Sequence, residues 1–226
     1  MSEQQLKAVK RRRSGPTQEE KSAETRRKLI AAAVSCLHAR GYSAVTVEQI
    51  LQEAGVSRGS MLHQFPTRID LMLGVVQSVF EDENGRYYEW LSKVDDRLER
   101  ILRLPELLWE TNSRPEGIAV LEILLASRSD AVLSSALVPL QAELDRIQRG
   151  WAREMLVEAG LRVDDEGPPL RRMLLAAARG LAIDMIFTDN PAEVAETARF
   201  LRTIMERHYA ADIAALRKGK SRGALG

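Results

Sequence analysis

Apolar residues recur at helical rather than strand spacing along almost the whole chain. From Glu24 onward, Ile30, Ala33, Val34 and Leu37 fall at the i, i+3, i+4, i+7 spacing of one helical face, and Gly41 is a fitting stop. Thr46 can cap a second helix whose inward face is Val47, Ile50, Leu51 and Ala54, with Gly55 ending it. Only Gly55, Val56 and Ser57 precede the next short segment, Arg58 to Phe65, so these two helices must cross steeply. After Pro66, Thr67 can cap a fourth helix with Leu71, Val75 and Val79 on one stripe, running toward Trp90. Further helices are predicted at about 95–112, 116–127, 131–159, 168–188 and 191–216, with a break or kink at Pro139. Residues 1–22 are polar, hold Gly15 and Pro16 and show no apolar period, so they read as a flexible basic arm; the Gly-rich, basic stretch 218–226 reads as a frayed tail. Short alternating runs of Val, Ile and Thr are rare, which makes the chain all-α.

Composition narrows the class. With 226 residues, the chain fits one large or two modest domains, and its 45% hydrophobic and 29% charged residues are those of a soluble globular protein. The single cysteine, Cys36, excludes a scaffold stapled by internal disulfides. No run approaches the roughly 18 to 20 apolar residues of a membrane span, and the basic N-terminus has no signal-peptide pattern, so a cytoplasmic protein without a membrane partner is expected. The net charge of +1 conceals an asymmetry: residues 1–70 carry twelve Lys and Arg against seven Asp and Glu, the remainder 21 against 25. The basic residues cluster at Lys7 and Lys10 to Arg13 and again at Arg26, Arg27 and Lys28, a footprint that suits a polyanion, Arg26 included, or simply solvates the chain.

The sharper signal is a helix, a three-residue turn with glycine, and a second short helix opening Ser57-Arg58-Gly59-Ser60, the pattern of a DNA-reading helix-turn-helix. Val47, Ile50, Ala54 and Val56 pack one helix on the other, and Ser57 caps the second. Its first turn then offers Arg58, Ser60 and Met61 to base edges, where an arginine can take guanine O6 and N7 together. Thr46 presents a hydroxyl and free backbone N–H groups to a phosphate. The spacing G-Y-x3-T-V-x2-I-x3-A-G-V-S-x-G-x5-F-x5-L, from Gly41 to Leu71, resembles the TetR family of bacterial transcriptional regulators. The resemblance, over Thr25 to Leu73, implies an N-terminal three-helix DNA-binding domain, residues 23–70, and a larger helical domain, residues 71–217, that dimerises and binds a small effector. The family usually has Tyr at the position of Leu62, His at that of Gln64 and Lys at that of Arg68. Leu62 is therefore expected to pack, His63 or Gln64 to supply a polar contact, and Arg68 to keep a charge for a phosphate. The DNA-facing set is thus Arg26, Thr46, Val56, Ser57, Arg58, Gly59, Ser60, Met61, His63, Gln64 and Arg68. The arm at Lys10 to Arg13 either enters the minor groove or raises non-specific affinity through counterion release.

In the larger domain, Leu174, Ala178, Leu181 and Met185, followed by Leu201 and Met205, form stripes at helical spacing. By the resemblance these two final helices make a four-helix homodimer interface; taken alone, such stripes are more commonly core. The resemblance also implies an effector pocket within residues 85–160, for which Trp90, Trp109, Leu124, Trp151 and Met155 are apolar lining candidates. No enzyme motif for nucleotides, zinc hydrolysis or a serine nucleophile is present, the three histidines lack metal-like spacing, and no cofactor is expected. These features predict a ligand-responsive repressor that binds a palindromic operator in double-stranded DNA as a homodimer; the alternatives are a non-specific DNA-binding protein and a helical protein-interaction protein.

Overall fold

A computed structural model describes residues 17–223, and among them every regular element is helical. The helices are α1 (Gln18–Arg40), α2 (Val47–Ala54), α3 (Arg58–Gln64), α4 (Arg68–Ser92), α5 (Arg97–Leu102), α6 (Leu104–Asn112), α7 (Pro115–Ala126), α8 (Ala131–Glu158), α9 (Gly167–Phe187), α10 (Pro191–His208) and α11 (Ala210–Gly223), with a 3₁₀ turn at Tyr42–Ala44. No helix among the described residues is long and apolar enough to cross a membrane.

The punctuation residues act where the sequence places them. Thr46, Ser57 and Thr67 each accept a backbone N–H three residues on, and Thr46 and Thr67 complete capping boxes with Gln49 and Asp70. Gly55 closes α2 in the left-handed region (φ 62°, ψ 35°), where a Cβ would meet nothing within 4 Å; glycine is needed there for its backbone, not for space.

Several boundaries differ from those predicted. Helix α1 starts at Gln18, because the Thr17 hydroxyl accepts the Glu20 N–H while the Glu20 carboxylate accepts the Thr17 N–H at 2.6 Å. Residues 18–22 are therefore helix, not arm; their polar face gives no apolar period. The basic cluster at Lys7 and Lys10 to Arg13 lies outside the described residues. The segment 95–112 divides at Arg103, since Pro105 has no N–H to continue a helix across that point. The last segment divides at the buried Tyr209, and the stretch from Lys218 continues α11 as far as Gly223 rather than fraying. Pro139 does not break α8: both Pro139 and Ser135, whose carbonyl loses its donor, face water.

Burial does not stop at residue 70. One cluster runs from Leu29, Leu37, Ile50, Met61 and Phe65 through Leu71, Met72, Val75 and Val76 of α4 to Ala119 and Ile123 of α7 and Leu133 of α8. Helix α4 is thus common to both halves of the chain. A second cluster joins Ile101, Leu174, Leu201, Met205 and Tyr209. This corrects the expected dimer stripe: Leu174, Ala178, Leu201 and Met205 are buried within the single chain, where α6 packs against both α9 and α10, while Leu181 and Met185 are half-buried. The outward face of the pair carries Met173, Ile183, Ile186, Phe187 and Phe200 instead.

Candidate nucleic-acid interface and ligand cavity

Helix α3 has only two turns, and burial divides them cleanly. Met61 and Phe65, four residues apart on one face, enter the core at 2% exposure each, while Arg58, Gly59, Ser60, Leu62 and His63 are exposed. Met61 was expected at base edges and is instead what anchors the helix. Val56 is half-buried against the same core rather than facing outward. Leu62, expected to pack, is 48% exposed and adds an apolar contact to the outer face, of the kind that suits a thymine methyl.

The polar groups around α3 are partly committed. Arg58 Nη1 donates to Glu48 Oε1 at 2.6 Å, an exposed pair linking α3 to α2 that sequence spacing did not single out. The Glu48 carboxyl is held below the usual carboxylate range by a backbone N–H and then by Arg58. The Ser57 and Ser60 hydroxyls lie 2.9 Å apart. Thr46 is exposed, and its oxygen accepts the Gln49 N–H at 3.3 Å, which leaves the hydroxyl proton free to donate. Gln64 Nε2 donates to the Ser22 hydroxyl at 2.6 Å, tying α3 to the first turns of α1, and the Arg26 guanidinium sits 4.6 Å from the Phe65 ring centroid.

Arg68 departs furthest from its expected phosphate role. Its Nη2 donates to the carbonyls of Tyr42 at 2.8 Å and Val45 at 3.3 Å, and its guanidinium stacks 4.1 Å from the Tyr42 ring. The Tyr42 N–H in turn donates to Glu122 Oε2 at 2.9 Å. The turn between α1 and α2 is therefore gripped by α4 through Arg68 and by α7 through Glu122. A lysine could not supply both the fork and the stacking plane.

Behind this surface, α4, α6, α7, α8 and α9 line a cavity of about 500 Å³ that opens to solvent. Val76, Val79 and Phe80 of α4 form one wall, and Glu83 and Arg179 stand in it from α4 and α9. Loss of water pushes the Glu83 carboxyl up to about 7, against the pull of Arg179 and Arg86 and with Glu116 and Asp82 adding to the rise. The same desolvation lowers Arg179. A more apolar cavity of about 340 Å³ shares Leu108 and Arg171 with the first. None of the five aromatic and aliphatic lining candidates borders either one. Trp151 and Met155 line a neighbouring space of about 230 Å³ beside Tyr88 and Leu91. Trp90 packs with Leu91 under Arg103, Leu124 packs on the main core, and Trp109 is half-buried in α6. Apolar character alone did not separate packing from lining, and the charged residues that mark the cavity are far apart in sequence.

Asp164, Glu166 and His208 bring ligand atoms within 4.8 Å of one another. Asp164 already accepts from Arg162 at 2.6 Å and from the Glu166 and Gly167 N–H groups, and Arg162 Nη2 donates to the His208 carbonyl at 2.8 Å, which fastens the loop before α9 to the end of α10.

Comparison with known proteins agrees with this geometry. Residues 29–75 match the model of the bacterial regulatory proteins, tetR family. The HTH-type transcriptional regulator CymR of Pseudomonas putida is 26% identical over 198 residues, covering 86% of this chain and 95% of that one. A transcriptional regulator from Rhodococcus sp. Rha1 superposes with a TM-score of 0.64 at 18% identity, covering 81% of this chain and 96% of its own. A regulator from Saccharomonospora viridis, solved in complex with choline, gives 0.62 at 21% identity, over 81% of this chain and 96% of its own. With the family match confined to residues 29–75 and the likeness to CymR running along most of the chain, the protein is similar to the TetR family of bacterial transcriptional regulators and is read as a DNA-binding transcriptional regulator.

Proposed function

We propose that this protein is a ligand-responsive repressor that binds a palindromic operator as a homodimer. The observation that carries the reading is the exposed face of α3, mounted on Met61 and Phe65 in a core that continues along α4 to the 500 Å³ cavity. Arg58 is the base-reading side chain, with Ser57, Gly59, Ser60, Leu62 and His63 around it and the Thr46 hydroxyl on a phosphate. Arg26, Gln64 and Arg68 hold the shape of the module, residues 23–70, and residues 71–217 carry effector binding and dimerisation. A second copy packs on the outward face of α9 and α10, where Met173, Ile183, Phe187 and Phe200 are exposed. Two-fold symmetry then presents two α3 helices to two half-sites, which one short helix needs for adequate specificity. That the Saccharomonospora viridis regulator was solved in complex with choline supports a small-molecule ligand for a protein of this fold. Occupation of the cavity shifts α4 and so the spacing of the α3 pair. A ligand that weakens operator binding must itself bind the operator complex more weakly by the same factor.

Selection of bound sites from random DNA tests this directly, and a two-fold symmetric consensus is the expected result. Absence of any preferred sequence would instead favour non-specific binding, and no retention of DNA would favour a protein-interaction role. On the selected operator, Arg58→Ala lowers affinity by about 1 to 3 kcal/mol more than on random DNA; equal losses on both would assign Arg58 to phosphate.

A further inference from the structure

The polar part of the cavity holds guanidinium donors that no described residue accepts. Arg179, on α9, is half-buried in the cavity wall, and no hydrogen bond or ion pair within 4 Å joins it to a described residue; Glu83 influences it only at longer range. Arg171 gives its Nη atoms to Asp145 and Gln148, and its Nε is buried without an acceptor. A buried guanidinium N–H without an acceptor is expensive, so Arg171 Nε calls for an acceptor supplied from outside, and Arg179 stands in the same wall with its donors uncommitted. The sign of the missing group follows from the lining. Arg171, Arg172 and Arg179 border the cavity against Glu83 and Asp145, and Asp145 is already engaged by Arg171 and Arg149. A cation would face the surplus of guanidinium groups, whereas a planar carboxylate matches the arginine fork. Val79, Phe80 and Leu175 then offer hydrocarbon to the rest of the molecule, and the adjoining apolar cavity past Leu108 leaves room for a longer body.

We propose that this cavity binds an amphipathic organic monocarboxylate, with its carboxylate on Arg179 and its hydrocarbon part along Val79, Phe80 and Leu175. This rests on the cavity being the effector site, and it names the chemical class of the effector. Because Val79 and Phe80 belong to α4, the ligand's body touches the helix whose first turns support α3.

The test is a calorimetric titration of the full-length protein, without DNA, with hexanoate, decanoate and 4-phenylbutyrate and with the primary amide of each. At least one carboxylate binds, and its amide, of nearly the same shape, binds at least tenfold more weakly. Arg179→Gln abolishes the preference for carboxylate, Arg179→Lys retains part of it, and Arg146→Gln, an exposed arginine on α8, leaves it unchanged. Failure of all three carboxylates, equal binding of the amides, or an undiminished preference in Arg179→Gln would each overturn the proposal. Operator affinity is measured separately. Carboxylate binding without any change in operator affinity would leave this site standing and remove the switch. Release from DNA by compounds other than carboxylates, with no carboxylate bound, would do the reverse.

Discussion

Gly74 sits on α4 where the Phe65 ring, at the end of α3, crosses the helix. A Cβ added at Gly74 would lie 2.4 Å from Phe65 Cε1 and 3.0 Å from Cζ. Carbon atoms in contact prefer about 3.5 to 4.0 Å, so Gly74→Ala demands that the ring withdraw by roughly 1 Å. The ring has nowhere to go: Phe65 is 2% exposed and lies beneath the Arg26 guanidinium. Overpacking of this kind costs about 1 to 3 kcal/mol, and the better helix propensity of alanine returns up to about 1 kcal/mol. A net loss of about 1 to 2 kcal/mol corresponds to a fall in Tm of several degrees, at roughly 2 to 4 °C per kcal/mol for a chain of this size. Gly85, on the same helix, is the control. It is exposed and a Cβ there meets nothing within 4 Å, so Gly85→Ala raises stability by about 0.5 to 1 kcal/mol. Thermal melts of both variants at one fixed protomer concentration provide the assay. The displaced Phe65 also re-aims α3, so Gly74→Ala loses operator affinity more than affinity for random DNA. A Gly74→Ala protein as stable as its parent, alongside a stabilised Gly85→Ala, would refute the argument that α3 is seated by the absence of a side chain on α4.

Two further predictions concern charge. The raised Glu83 carboxyl binds its proton more tightly in the folded than in the unfolded chain, so its contribution to stability is complete below about 4.5 and is lost as pH rises through about 7. Glu83→Gln, which stays neutral beside Arg179, Arg86, Glu116 and Asp82, therefore gains on the parent above pH 7, by up to about 3 kcal/mol, and gains nothing below pH 4.5; parallel denaturation curves at pH 4.5 and 8 that show no pH-dependent difference would contradict the burial of that carboxyl. Glu48→Gln releases Arg58 and removes an acidic group from the surface proposed to face DNA. Binding to operator and random DNA both tighten, with a steeper salt dependence in fluorescence anisotropy; weaker operator binding would mean that Glu48 is needed to hold Arg58 in position.

What the sequence determined was local. Thr46, Gly55, Ser57 and Thr67 set the ends of α2, α3 and α4 because a hydroxyl cap or a left-handed glycine acts on backbone groups within a few residues. The spacing from Gly41 to Leu71 likewise carried the helix-turn-helix. Phase and partner were decided by the tertiary structure. In the two turns of α3, Met61 could face either way until α1 and α4 formed a core for it. The stripe of Leu174, Ala178, Leu201 and Met205 signalled a covered face without saying that α6 covers it, and Trp90, Trp109 and Leu124 were apolar in the same way whether packed or lining. Arg68 looked like a phosphate ligand until the carbonyls of Tyr42 and Val45 were brought to it. Glu83 and Arg179 acquire their character only because α4 and α9 fold around one cavity and withdraw both groups partly from water, an effect that depends on distant segments and leaves no trace in the residues beside them.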